Sequence, residues 1–238
     1  MGKIIPYSLF MFLLHSFVMA SFVWSSHTNI ITDKSALLAF KSSVSSDPFN
    51  FLANWSLSSS PCNWYGVTCN VHHGRVHSLN LGGLGLTGKI SPHLGNLSFL
   101  VELDLNFNNF HGQLPKELIQ LRRLKSLNLS YNEFDDQVPE WVGDLLMLQH
   151  LSLRNNSFSG FIPLSLFNLS KLETFDLTAN HIEGTIPREI GKLKRLKILG
   201  IGGNKLSGTI PQTISNLSSL ELLSLSFNTL SGMYVKND

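Results

Sequence analysis

Residues 196–219 read "LKILGIGGNKLSGTIPQTISNLSS". The stretch opens on Leu196, sets Leu199 and Ile201 two apart, places Asn204 three residues later, then Gly208, and turns at Pro211. Apolar residues two apart with polar neighbours mark a short strand with one buried face. Glycine permits the positive φ of a turn. Proline fixes φ and forbids a continuing central strand. Working outward, the same spacing recurs without insertion or deletion from Val76, Leu100, Leu124, Leu148, Leu172, Leu196 and Leu220. A fixed 24-residue period predicts a stacked solenoid, because a unit this small buries its apolar face only against its neighbours.

The columns of that repeat are nearly uniform. The apolar pairs are Leu79/Leu81, Leu103/Leu105, Leu127/Leu129, Leu151/Leu153, Phe175/Leu177, Leu199/Ile201 and Leu223/Leu225. An Asn follows at 108, 132, 156, 180, 204 and 228, with Leu84 out of line in the first coil. An amide there can bond backbone groups of the next coil, and if buried must be fully satisfied, since an unpaired group costs about 1–3 kcal/mol. Gly88, Gly112, Gly160, Gly184, Gly208 and Gly232 share one column in which Asp136 is the substitute. Pro115, Pro139, Pro163, Pro187 and Pro211 share another, which predicts an irregular convex side rather than a second long sheet.

Written LxxLxxLxLxxNxLxGxIPxxLGxL, the pattern resembles the plant-type leucine-rich repeat. Upstream, "TDKSALLAFKSSVSSDPFNFLANW" (32–55) followed by "CNWYGVTC" (62–69) is similar to the amino-terminal cap of plant receptor-like kinase ectodomains. The phrase "GRVHSLNLGGLGLTGKISPHLGNLSFL" (74–100) resembles the subgroup that includes pattern-sensing immune receptors. The resemblance implies an α/β solenoid: a leucine-rich-repeat right-handed superhelix with a parallel concave sheet and an irregular convex side, preceded by a helical, disulfide-closed cap. The expected domains are a cap over 32–72, seven repeats over 76–232 with the last incomplete, and a tail over 233–238.

A helix over 33–45 puts Leu37, Phe40 and Val44 on one side, against which Trp64 should bury its ring. The cap has a purpose, since the first coil has no neighbour on its amino-terminal side. At the other end the sequence reaches "SGMYVKND" without the closing columns, so Leu220, Leu223, Leu225 and Leu230 face solvent or a further coil. If the chain ends there, the open coil predicts poor solubility or dimerisation; an incomplete receptor is the competing expectation.

Residues 1–20, with Lys3 before an apolar run ending at Ala20, read as a secretory signal peptide whose boundary extends to about 26. A retained membrane anchor is the rival reading, and no other stretch approaches a membrane span. Secretion makes one disulfide, Cys62 to Cys69, the economical reading of the two cysteines, with a stabilisation of roughly 2.5 kcal/mol. A metal site drawing on His72, His73 and His77 is the alternative. Charged residues are 14% and the net charge is +2, too weak a field to gather nucleic-acid phosphates. No cofactor and no metal are expected.

Three further motifs have duller readings. Residues 83–88, "GLGLTG", match GxGxxG after a strand, yet Gly88 belongs to the repeat's own glycine column and the helix of a dinucleotide site is missing. The clusters Arg122, Arg123, Lys125 and Lys192, Lys194, Arg195, Lys197 fall at coil corners and read as solvated faces. His150, Ser152 and Asp176 allow a hydrolytic triad to be imagined, but a flat ladder lacks the enclosed pocket and oxyanion hole that such chemistry needs. An enzyme is not expected.

What remains is the concave wall. Seven parallel strands about 4.8 Å apart span roughly 30 Å, room for about nine residues of extended peptide. Its outward positions are Glu102, Asp104, Asn106 and Phe107; Ser126, Ser130 and Tyr131; His150, Ser152 and Arg154; and Asp176 and Thr178. Phe107 and Tyr131, in one column, with Arg154 are the expected hot spot. Gly200, Gly202 and Gly203 strip the sixth coil, so either a ligand backbone approaches closely there or nothing binds. Glycosylation sequons stand at Asn54, Asn96, Asn128, Asn155, Asn168 and Asn216; those at Asn128 and Asn155 would place sugar on the concave wall. The expected function is non-enzymatic recognition of an extracellular peptide, protein or co-receptor ectodomain, secreted into the cell-wall space or held at the plasma membrane as part of a longer receptor. The alternative is an inhibitor of a cell-wall-degrading enzyme.

Overall fold

A computed structural model describes residues 29–232; the expected signal peptide and the 233–238 tail lie outside the described residues. The repeat does what its period predicts. Strands Val76–Asn80, Glu102–Asp104, Ser126–Asn128, His150–Ser152, Thr174–Asp176, Ile198–Gly200 and Leu222–Ser224 form one parallel sheet in chain order. Leu79, Leu103, Leu127, Leu151, Phe175, Leu199 and Leu223 lie side by side in its register. The sheet gains an eighth, antiparallel strand, Val67–Cys69, which covers the edge of the first coil. Such a cover removes an exposed sheet edge open to aggregation.

The interior is a single apolar column running from the cap to the last coils. Leu79 to Leu199 of the strand column are fully buried, whereas Leu223 in the seventh coil is exposed. Phe110, Phe134 and Phe158 fill the space between the concave strands and the convex side in the middle coils, and the last two stack at 6.2 Å.

The asparagine ladder is continuous. Asn132 donates through Nδ2 to the Leu105 and Leu129 carbonyls at 2.9 and 3.2 Å, while its Oδ1 accepts the Phe110 N–H at 2.9 Å. Asn108, Asn156, Asn180, Asn204 and Asn228 repeat these three bonds one coil at a time. The bonds reach back to the preceding coil, not forward to the next. Among the described residues every buried side-chain nitrogen and oxygen has a partner.

The convex side is more regular than expected. Short 3-10 helices such as Lys116–Gln120 and Arg188–Lys192 begin directly after the column prolines, which cap them at extended φ and ψ. Between the two sides run two short four-stranded ribbons, one joining Val44–Ser46 to Thr87–Gly88, Asn109–Gly112 and Glu133–Phe134, the other running from Ser159–Gly160 to Thr229–Ser231. Proline limits these strands to a few residues but does not abolish them, because the ladder bonds lie before the proline. The glycine column holds positive φ throughout, and Asp136 takes φ 70° in its place.

In the cap, helix α1 spans Ile30–Ser43, three residues earlier than expected at its start and two at its end. Asn29 explains the start, since its side chain accepts the Ile31 and Thr32 N–H groups as an N-cap. Val44 is therefore outside the helix, in the first ribbon strand. Trp64 reaches the helix indirectly: it stacks on Trp55 at 5.1 Å, and Trp55 in turn meets Phe40. Cys62 and Cys69 form the disulfide, which settles their pairing against the metal reading. No helix follows "GLGLTG", whose last two residues form a ribbon strand.

Candidate binding surface

Each concave strand presents two outward positions beside its buried leucine, followed by one residue at the turn out of the strand. That last column, Gly83, Phe107, Tyr131, Asn155, Ala179, Gly203 and Phe227, lies entirely in the left-handed region, with φ from 49° to 72°. Glycine and asparagine tolerate this conformation, whereas a bulky ring there costs roughly 1–2 kcal/mol. Phe107 and Tyr131 are held in it nonetheless. Their rings stack in parallel, centroids 4.1 Å apart and planes 8° from each other. The Arg154 guanidinium carbon sits 5.9 Å from the Tyr131 centroid, and its Nη1 lies 4.0 Å from the Asp176 carboxylate. The structure thus brings the expected trio together on three successive coils.

Other named positions form a polar ladder beside it. Asn128 donates to Asp104 at 3.2 Å, and Ser78 to Glu102 at 3.0 Å. His150 and Thr174 share a 3.2 Å bond. Ser130 differs from expectation: its hydroxyl is buried, held between the Asn128 oxygen at 2.8 Å and Ser152 Oγ at 2.6 Å, so it braces the wall instead of facing a ligand. Asn106 bends over Gly82, so that a Cβ at Gly82 would collide with its side-chain oxygen. Ser126 and Thr178 remain half-buried in the strand rows.

The sixth coil is not an empty trough. A Cβ at Gly200 would stand 2.6 Å from an Asp176 oxygen and 2.7 Å from Thr178 Oγ1, so the fifth coil's side chains already lean across it. His150, Ser152 and Asp176 occupy adjacent strands in register, and their recorded bonds run to Thr174, Ser130 and the Thr178 N–H rather than to one another. At the entry edge of the sheet Lys197 donates to Glu173 at 2.7 Å, which holds the carboxyl below its usual range and the ammonium above it. Both side chains are half-exposed, so the pair contributes little. Its contribution is present at neutral pH and fades as Glu173 protonates in acid or Lys197 deprotonates in strong base.

The sequons divide by geometry. Asn54, Asn96, Asn155, Asn168 and Asn216 are exposed. The Asn128 amide is engaged by Asp104 and Ser130, in the middle of the concave network. On the convex flank an open groove of about 460 Å³ runs between Trp141, Phe161 and Leu164. Among the described residues no helix is long and apolar enough to cross a membrane.

Two functional features escaped sequence reasoning. Phe227 is a third exposed aromatic in the left-handed column; the 24-residue spacing from Phe107 through Tyr131 could have found it. The cap aromatics Phe49, Phe51 and Tyr65 form a chain of ring contacts at 5.9 and 4.9 Å next to the first coil, and their sequence carries no periodic signal.

Comparison with known proteins agrees with this architecture. Residues 30–70 match the family described as leucine rich repeat N-terminal domain, and residues 99–121, 122–182 and 195–217 match leucine rich repeat families. The LRR receptor-like serine/threonine-protein kinase EFR of Arabidopsis thaliana is 53% identical over 91 residues, 38% of this chain and 9% of that protein. The aligned stretches span 8–9% of the length of the curated relatives it matches first. Among solved structures, the Arabidopsis receptor kinase HAESA ectodomain in complex with an extended IDA peptide hormone ligand superimposes with TM-score 0.79 at 32% identity, covering 85% of this chain and 34% of that one. The ectodomain of the Arabidopsis thaliana receptor kinase SOBIR1 gives TM-score 0.63 at 31% identity, covering 73% of this chain and 92% of that one.

Proposed function

We propose, for a chain that belongs to the leucine-rich-repeat family of plant receptor ectodomains, that it is an extracellular recognition module binding a peptide or protein partner on its concave wall, without chemistry of its own. One observation carries the reading: Phe107 and Tyr131 are stacked and partly open to solvent in a backbone conformation that opposes bulky side chains, with Arg154 beside them. Structural strain of this kind is retained where a surface is used, and Tyr, Phe and Arg are the residue types that anchor interfaces. A peptide hormone is bound by HAESA, which this fold resembles, and a co-receptor assembles with it in a second structure; a peptide ligand shared with a co-receptor is the partner class that suits an open, 30 Å wall.

The test uses a displayed library of random peptides long enough to span the sheet, selected on the whole chain. Selected peptides should lose at least tenfold affinity when Phe107, Tyr131 and Arg154 are each replaced by Ala, about 1.4 kcal/mol or more per anchor. Unchanged affinity in all three variants removes the site. If the chain instead inhibits a polysaccharide hydrolase of the cell wall while selected peptides ignore these residues, the inhibitor reading replaces this one.

The same substitutions predict a stability result. Phe107→Ala gives up a ring stack of about 0.5–1.5 kcal/mol and keeps the left-handed backbone, so the chain should unfold within about 1.5 kcal/mol of the parent by denaturant titration. A much larger loss would show that the ring is there to hold the coils together.

A further inference from the structure

Tyr131 covers one face of the Phe107 ring, on the side of the third coil. The other face points toward the first coil, where the same column holds Gly83, and Phe107 remains 55% exposed. A Cβ placed on Gly83 would meet no atom within 4 Å, and its neighbour Gly82 has none either. The coil between Phe107 and the cap thus has no side chain at this level.

The far side of the gap is aromatic too. The Asn80 N–H donates to the Gly66 carbonyl at 2.8 Å, and Val67 pairs with Leu79 in an antiparallel register. Continued by one residue, that register sets Tyr65 beside the Leu81–Gly82 end of the first coil. Tyr65 is 47% exposed and packs on Phe51, which packs on Phe49, itself 70% exposed. Pro48, the residue before Phe49, lies 3.5 Å from where a Cβ on Gly85 would sit, which ties this cluster to the same turn. Phe107 and the cap aromatics therefore stand on the two strands flanking a glycine coil, about two strand spacings or 9–10 Å apart. A ring stacked between two others needs about 7–8 Å at the usual separation of carbon atoms in contact. Asn106, folded over Gly82, supplies a polar floor.

We propose that the Gly82–Gly83 gap is a slot for one planar aromatic side chain of a bound peptide or protein, clamped between Phe107 and Tyr65. This deepens the concave-wall reading and rests on it, and it assigns the glycine-rich segment "GGLG" a role in partner selection. The occupant is aromatic because an aliphatic chain would leave the face of Phe107 without its stacking partner.

The probe is N-acetyltryptophanamide, titrated into the whole chain labelled with nitrogen-15, with N-acetylleucinamide as the comparison. Ring-current shifts should concentrate at the Gly82, Gly83 and Asn106 amides, and the tryptophan compound should bind roughly three- to tenfold tighter than the leucine one. Gly83→Phe fills the slot with the residue type its column already carries at 107 and 131, and should abolish these shifts. Gly83→Asn, which suits a left-handed backbone, is the second variant and should weaken binding if the larger one fails to fold. Equal affinity for the two compounds, shifts elsewhere, or full binding by a folded Gly83→Asn and Gly83→Phe would overturn the slot. Library-selected peptides separate this from the parent reading: if they lose affinity in Tyr131→Ala and Arg154→Ala but not in Gly83→Phe, the wall stands and the slot falls.

Discussion

Replacing Asp33 by Ala should lower the stability of the chain by about 3–5 kcal/mol, the range for breaking a buried ion pair from one side, and should drop the melting temperature by roughly 10 °C for a domain of this size. Asp33 stands in the first turn of α1, and both its oxygens are committed. Oδ2 accepts the Arg75 Nε–H at 2.8 Å and the Val76 N–H at 2.9 Å, while Oδ1 accepts from Arg75 Nη2 at 2.6 Å. Both side chains are buried. Alanine would leave a buried guanidinium short of its carboxylate and the Val76 N–H without its acceptor, at the point where the first coil begins. Arg75 keeps its place over the Phe99 ring, 4.6 Å from the centroid, and a 3.4 Å bond to Ser98, which soften the loss without cancelling it. The comparison variant is Asp33→Leu with Arg75→Met, in which no charge remains to be stranded; it should recover most of the loss. A single-variant cost below 1 kcal/mol in denaturant titration would show that the pair does not fasten the cap to the solenoid.

That clamp also marks where the sequence stops being readable. The leucine, asparagine, glycine and proline columns were legible because each repeats every 24 residues, and a stacked solenoid turns sequence period directly into spatial row. Asp33 and Arg75 are 42 residues apart with no second copy of either, so no period exposes them. The same reason hid the cap aromatics. The left-handed column was encoded, in Gly83, Asn155 and Gly203, all residues that accept positive φ; the aromatic rings at 107 and 131 masked a signal their own column supplies. For the candidate site, strand register placed the outward rows correctly, while depth did not follow from it. Ser130 sinks because Ser152 in the next coil reaches back to it, and Gly200 is roofed because Asp176 and Thr178 lean across, which are contacts between coils rather than properties of a column.

Asn132→Ala combined with Asn156→Ala should cost more than the two single substitutions added together. Each ladder carbonyl accepts from two asparagines: Leu129 O takes Asn132 Nδ2 at 3.2 Å and Asn156 Nδ2 at 3.0 Å. Leu105 O is likewise shared by Asn108 and Asn132. Removing Asn132 alone orphans one buried N–H, that of Phe110, and leaves every carbonyl with a remaining donor, for a loss of about 1–3 kcal/mol plus the small cavity. Asn156→Ala does the same to the Phe134 N–H. Together they also strip Leu129 O of both side-chain donors, a penalty that neither single variant contains. A double-mutant cycle by denaturant unfolding should therefore give a coupling of about 1 kcal/mol, above the 0.3–0.5 kcal/mol within which independent sites add. The pair Asn132→Ala with Asn204→Ala is the control, since those residues share no carbonyl: Asn204 bonds Leu177 and Ile201. Coupling of equal size in both pairs would mean that the coils unfold as one block and the shared carbonyls carry no special weight. Coupling in the adjacent pair alone would establish that the solenoid is held coil to coil by a hydrogen-bonded chain, whose stiffness keeps Phe107, Tyr131 and Arg154 in register across three strands.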